Sequence, residues 1–218
     1  MPSIGRILIT ALLLGGVQIL PAQHPTTTAP AADLSTPRAT LLALNRAMRE
    51  GDVESIKRLF LAETPAEMQM VEADAQMAAA LAELRDAAIK AFGTENARTL
   101  TGDTAAGTAE SLKRIEGAEI VVSGDAATVH YSDDKAVPFI LKKAGNDWRV
   151  PVSQLGKPLN PAALEQRISD LAVQRRVVRD IAAQIRTGNF KSSEKAREAW
   201  QSRILQAATS QPVIPQKG

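Results

Sequence analysis

The apolar residues of this chain change their spacing twice, and that switch limits the folds open to it. Up to Ile115 they recur every three or four residues, from Ile120 to Val152 they alternate, and from Leu164 onward they return to the longer period. A period near 3.6 buries one stripe of a helix, whereas a period of two buries one face of a strand. A helical layer, a sheet and then further helices are therefore predicted, which is an α+β arrangement.

Local signals set the expected boundaries. Ser35-Thr36-Pro37 starts a helix, because a hydroxyl satisfies free N–H groups and proline at the first position has none to lose. Leu41, Leu44 and Met48 form its stripe, and Gly51 ends it in a left-handed cap. A second helix from Asp52 buries Val53, Ile56, Leu59 and Phe60. Thr64-Pro65-Ala66-Glu67 is a capping box opening a long helix with the stripe Met70, Ala73, Met77, Leu81, Leu84 and Ala88, closed by Phe92-Gly93. Residues 94–107 turn polar, with Gly102 and Gly107 interrupting any period, and a short helix follows over residues 109–115.

Four strands come next. Ile120 and Val122, then Val129 and Tyr131, then Val137, Phe139 and Leu141, then Trp148, Val150 and Val152 alternate between the turns Ser123-Gly124-Asp125, Asp133-Asp134 and Gly145-Asn146. They make an antiparallel meander with one apolar face for the helices, while Thr128, His130, Lys142 and Arg149 point away. Asn160-Pro161 begins a helix reaching Thr187, with Leu164, Ile168, Leu171, Val178, Ile181 and Ile185 near heptad spacing. Gly188-Asn189 ends it, and Ser192 caps a last helix carrying Ala196, Trp200 and Ile204, so residues 158–210 read as a helical hairpin.

The ends are of another kind. Arg6 precedes an apolar run from Ile7 to Leu20 that stops at Pro21-Ala22-Gln23, the pattern of an export signal over residues 1–22. Interrupted by Gly15-Gly16 and Gln18, the run falls short of the ~20 apolar residues a spanning helix needs. A secreted protein, periplasmic or extracellular, with no stable membrane span after cleavage is expected. A retained N-terminal anchor is the alternative. Residues 23–34 are a Pro/Thr/Ala linker and residues 211–218 a Pro-containing tail, both too poor in apolar side chains to order themselves. The absence of cysteine from the 218 residues rules out a disulfide and a lipid-bearing cysteine.

Composition narrows the function. Phe60, Phe92, Tyr131, Phe139, Trp148, Phe190 and Trp200 are all the aromatics, a thin supply for stacking sugars or bases. The net charge of +2 hides an asymmetry, since residues 161–218 hold ten Lys or Arg against five Asp or Glu. Arg167, Arg175, Arg176, Arg179 and Arg186 lie on one helix, interspersed with Glu165, Asp170 and Asp180, as on a solvated, partly ion-paired face. Export argues against nucleic acid, leaving an acidic partner or an anionic surface. A helix of that length rises about 40 Å at roughly 1.5 Å per residue, more than a small domain covers, so part of its seam is expected to need another partner.

The helix from Pro37, the Glu50-Gly51-Asp52 junction, the long helix and the stretch Ala118 to Tyr131 stand in an order that resembles the nuclear-transport-factor-2-like superfamily, in particular its small exported lumazine-binding-like members. The runs Gly124 to Val129, Phe139 to Lys143 and Gly145 to Val150 are similar to its hairpin and to its "phe-x-leu-x-lys" and "gly-x-trp-x-val" strands. The resemblance spans residues 35–155. It implies a cone in which a curved sheet wraps the long helix, with a pocket at the open end that Met77, Leu81, Phe139 and Trp148 would line. It implies no one activity, since isomerases, dehydratases and members without chemistry share the fold.

Catalytic candidates are few. With only His24 and His130, and no cysteine, a zinc site has no ligand set, and no metal or other cofactor is expected. Gly102 to Thr108 has phosphate-loop glycine spacing but lacks the lysine and the preceding strand. Asp133-Asp134 reads as turn chemistry rather than a calcium pair. His130 is the weak candidate for acid–base work, and alternation puts it on the outer face. The chain is expected to be a non-catalytic binding or interaction module outside the cytoplasm rather than an enzyme. Its C-terminal helices, through Leu164, Ile168, Leu171, Val178, Ile181, Ile185 and Trp200, would mediate homo-oligomer formation or docking of an envelope protein. The alternative is a small-molecule carrier or enzyme using the cone pocket, with residues 94–107 as a lid.

Overall fold

In the computed structural model, residues 33–102, 104–132, 138–155 and 160–209 are described. The export signal, most of the linker, the Asp133-Asp134 turn with Val137, and the C-terminal tail lie outside them.

Side-chain caps start the N-terminal helices where the sequence places them. Thr36 Oγ1 accepts from Ala39 N at the head of α1 (Pro37–Glu50), and Asp52 Oδ1 accepts from Ser55 N at 3.0 Å at the head of α2 (Val53–Leu59). The Thr64/Glu67 capping box is complete at the head of α3 (Pro65–Thr101). Gly51 closes α1 with φ 69, and its N–H donates to Ala47 O.

Gly51 also meets α3 closely. A Cβ there would stand 2.7 Å from Ala79 Cα, a backbone atom that cannot turn aside. Gly51→Ala is expected to cost about 2–4 kcal/mol in urea unfolding, left-handed strain and overpacking together. Gly145→Ala, at φ 65 with open space around it, should cost only about 1–2 kcal/mol.

The sheet has five strands in the order β1-β5-β4-β3-β2: β1 (Phe60–Leu61), β2 (Glu119–Ser123), β3 (Ala126–His130), β4 (Phe139–Ala144) and β5 (Asp147–Pro151). Strands β2 to β5 form the expected antiparallel meander. Strand β1 is an addition that two residues cannot signal by period. Phe60, expected to continue the buried side of α2, leaves the helix and pairs parallel with Val150, as Leu61 does with Pro151. Ala127, Val129, Leu141, Trp148 and Val150 are buried on the inner face, and His130, Lys142 and Arg149 point outward as expected. Val122 departs from that pattern at 54% exposure, because on the edge strand only Ile120 packs against the core. Val152 falls in a 3-10 turn after β5, still against the core.

Residues 94–107 are corrected most. The backbone does leave the helix at Gly93 (φ 78, ψ 159), but α3 resumes to Thr101, and α4 (Thr104–Glu116) runs through Gly107. The inward side of α4 is carried by Thr108, Ser111 and Ile115. Small polar residues close-packed at helical spacing leave no hydrophobic period to read. Arg38 ties α4 down from α1, its guanidinium donating to the carbonyls of Ile115, Glu116 and Ala118.

Two cores result. Val71, Ala75 and Ala78 of α3 join α1, α2 and the inner face of the sheet in the first. Met77, Ala80, Leu84, Ala87 and Ala88, on another flank of the same helix, join α5 (Pro161–Arg186) and α6 (Ser193–Thr209) in the second. The single stripe expected of α3 is thus two, and the helix is the wall between the cores.

Candidate functional site

Helix α5 begins at Asn160, whose Oδ1 accepts from Ala163 N at 2.8 Å, followed by Pro161. Its C-terminal half buries Val178, Ile181, Ala182 and Ile185 in the second core. Arg179 reaches Glu83 at 3.5 Å, and Arg167 lies close enough to Asp74 to act on its charge, so α5 runs beside α3 in the same direction. Helix α6 packs on both. Ser193 Oγ meets Thr99 Oγ1 at 2.8 Å, and Arg203 donates to Asp180 and, at 3.2 Å, to Gln184.

The expected partner for the α5 seam is therefore largely inside the chain. Val178, Ile181 and Ile185 are buried on α3 and Trp200 packs against the same core, while Leu164, Ile168 and Leu171 are half-buried. Nor do the four expected pocket residues meet. Met77 and Leu81 belong to the second core, Phe139 and Trp148 to the first. The physical reason is rotational: the flank of α3 turned to α1 and α2 in the first core is Val71, Ala75 and Ala78, well away from Met77 and Leu81 at 100° per residue. His130 sits exposed on the outer face, opposite Glu119 of the edge strand.

The open concavities lie on the helices. A groove of about 250 Å³ runs between Gln69, Glu72, Ala73 and Gln76 of α3 and Ile168, Ala172 and Arg175 of α5. It shares Ala172 and Arg175 with a wider one of about 460 Å³, bounded also by Arg176, Arg179 and Asp180. The floor is small and apolar, and one rim is cationic. Asp180 is engaged elsewhere, held by Arg203 and by Gln184 Nε2 at 3.0 Å. Glu72 accepts from Gln76 Nε2 at 3.1 Å. Among the described residues no carboxylate pairs with Arg175 or Arg176. Two guanidiniums thus face the groove with their charge uncompensated.

Asp74 is the residue that the sequence reading missed. It interrupts the apolar stripe between Met70 and Met77, which is the signal that could have found it. Its Oδ2 is buried without a hydrogen-bond partner. Burial pushes its pKa up to about 6, with Arg167 pulling the other way. A lone carboxyl of this kind can exchange a proton, and among the described residues no group of three or more His, Asp or Glu side chains is placed to hold a metal ion. No helix of the described residues is long and apolar enough to cross a membrane. No protein-family model, no curated protein and no solved structure matches the chain.

Proposed function

We propose that the chain is a non-catalytic, extracytoplasmic interaction module. On this reading residues 1–22 direct export, residues 23–34 tether, residues 35–157 form a nuclear-transport-factor-2-like domain, and residues 158–210 extend it as a helical hairpin that carries the working surface. A helical layer over one face of an antiparallel meander supports the middle assignment. The observation that carries the function is the open groove between α3 and α5 with Arg175 and Arg176 unpaired on its rim. By contrast, Val129, Leu141, Trp148 and Val150 pack together in the core between the sheet and the helices, where the alternative carrier or enzyme reading would need open space.

Site-specific photocrosslinking in the producing cells tests this reading. A benzophenone side chain at Gln69, on the rim of the groove, is expected to give an adduct of higher mass, and the same group at Thr128 on the outer sheet face is not. The adduct should vanish when Arg175 and Arg176 are both changed to glutamate. No adduct at position 69, or equal adducts at both positions, overturns the assignment.

A further inference from the structure

Resting on that reading of the groove, we propose that it docks an acidic amphipathic helix of a partner protein. The shape comes first. Two helices side by side, with Ala73 and Ala172 on the floor, let a third backbone approach closely, as ridges settle into grooves at about 8–10 Å between axes. The lining on α3 spans two turns, from Gln69 to Gln76, so the occupant presents apolar side chains at i, i+3 or i+4, and i+7 to Ala73, Ile168 and Ala172.

Charge selects among occupants. Arg175, Arg176 and Arg179 line one side; Asp180 is paired with Arg203 and Glu83 with Arg179, while Glu72, hydrogen-bonded to Gln76, keeps its charge on the α3 side and leaves Arg175 and Arg176 without a carboxylate partner among the described residues. Glutamates flanking the apolar stripe of an incoming helix meet Arg175 and Arg176 in charge-assisted hydrogen bonds. A second copy of this chain, docked groove to groove about a two-fold axis, brings arginine against arginine. A bilayer is a poorer match, since the apolar residues lie at the bottom of a cleft rather than on a protruding face.

The test uses the mature chain and a fluorescent synthetic peptide of about 16 residues, helical by design, with alanine and leucine on one face and glutamate on its flanks. Saturable binding is expected, weakened by tenfold or more in Arg175→Glu/Arg176→Glu and lost in Ala172→Trp, which fills the floor. Circular dichroism of both variants should match the parent, since the altered side chains are not buried. Equal binding of a lysine-flanked peptide, of a scrambled acidic peptide, or none at all, overturns the proposal. So does binding to phosphatidylglycerol vesicles through the same arginines, or a dimer by light scattering that the arginine variant abolishes. If the crosslink at position 69 forms while the acidic peptide fails to bind, only the chemistry of the occupant falls. If neither occurs, the interaction surface falls with it.

Discussion

Trp148→Ala is expected to cost about 3–5 kcal/mol of folding stability. Trp148 is 5% exposed on β5 and packs in the first core with Leu41, Leu59, Val129 and Leu141. Its backbone is pinned from both sides, with its N–H donating to Leu34 O at 2.9 Å and its carbonyl accepting from Thr40 Oγ1 at 3.1 Å. These bonds survive truncation, so neighbouring residues cannot collapse into the space the indole leaves, and the cavity term comes in full. At roughly 2–4 °C per kcal/mol for a chain of this size, the melting temperature should fall by at least about 6 °C. Trp200 is the comparison. It is half-buried at the margin of the second core and its Nε1 is buried without an acceptor, so its removal surrenders packing but relieves an unsatisfied donor. Thermal melts followed by circular dichroism should rank Trp148→Ala well below Trp200→Ala. A Trp148→Ala protein that melts with the parent would overturn the inward face of the sheet.

Asp74→Asn should raise the melting temperature at neutral pH. Desolvation, only partly offset by Arg167, lifts the Asp74 carboxyl from 3.8 to about 6 in the folded chain. A raised acid pKa means that folding takes up a proton. The Asp74 contribution is therefore most favourable below about pH 4, declines as pH rises toward 6, and stays low above it, the difference being on the order of 3 kcal/mol. An amide has the size of the protonated carboxyl and never bears the charge. At pH 7.5 the variant should melt about 6–12 °C above the parent, and at pH 4 the two should converge. Equal melting temperatures at both pH values would show that Asp74 is not desolvated as the structure places it.

Helix starts were the most legible part of the chain, because Thr36, Asp52, Thr64 and Asn160 cap by chemistry that is local to three residues. The meander was legible too, since Val129, Leu141 and Val150 alternate with polar neighbours. What escaped was long-range or carried by small residues. Alanine does not declare which side of a helix is buried, so the two flanks of α3 at Ala75 and Ala80 read as one, and Met77 is joined to Trp148 although the two lie in different cores. Thr108 and Ser111 hid α4 in the same way. In the candidate site the arginines of α5 could be listed from sequence, but their groove with Ala73 and Gln76 depends on how α5 aligns with α3, which no local spacing encodes.

The parallel pairing of Phe60 with Val150 bears on how the chain reaches its fold. Strand β1 has no partner until β5 exists, and between them lie all of α3, α4 and the other three strands. A contact that closes so long a loop forms late, because its entropy must be spent before the pairing returns anything. During vectorial synthesis α1 and α2 therefore emerge with the side that they turn to β5 uncovered, and it stays so until the last strand arrives. The interval before β5 is made is when this chain is most open to proteases and to misassembly with its neighbours.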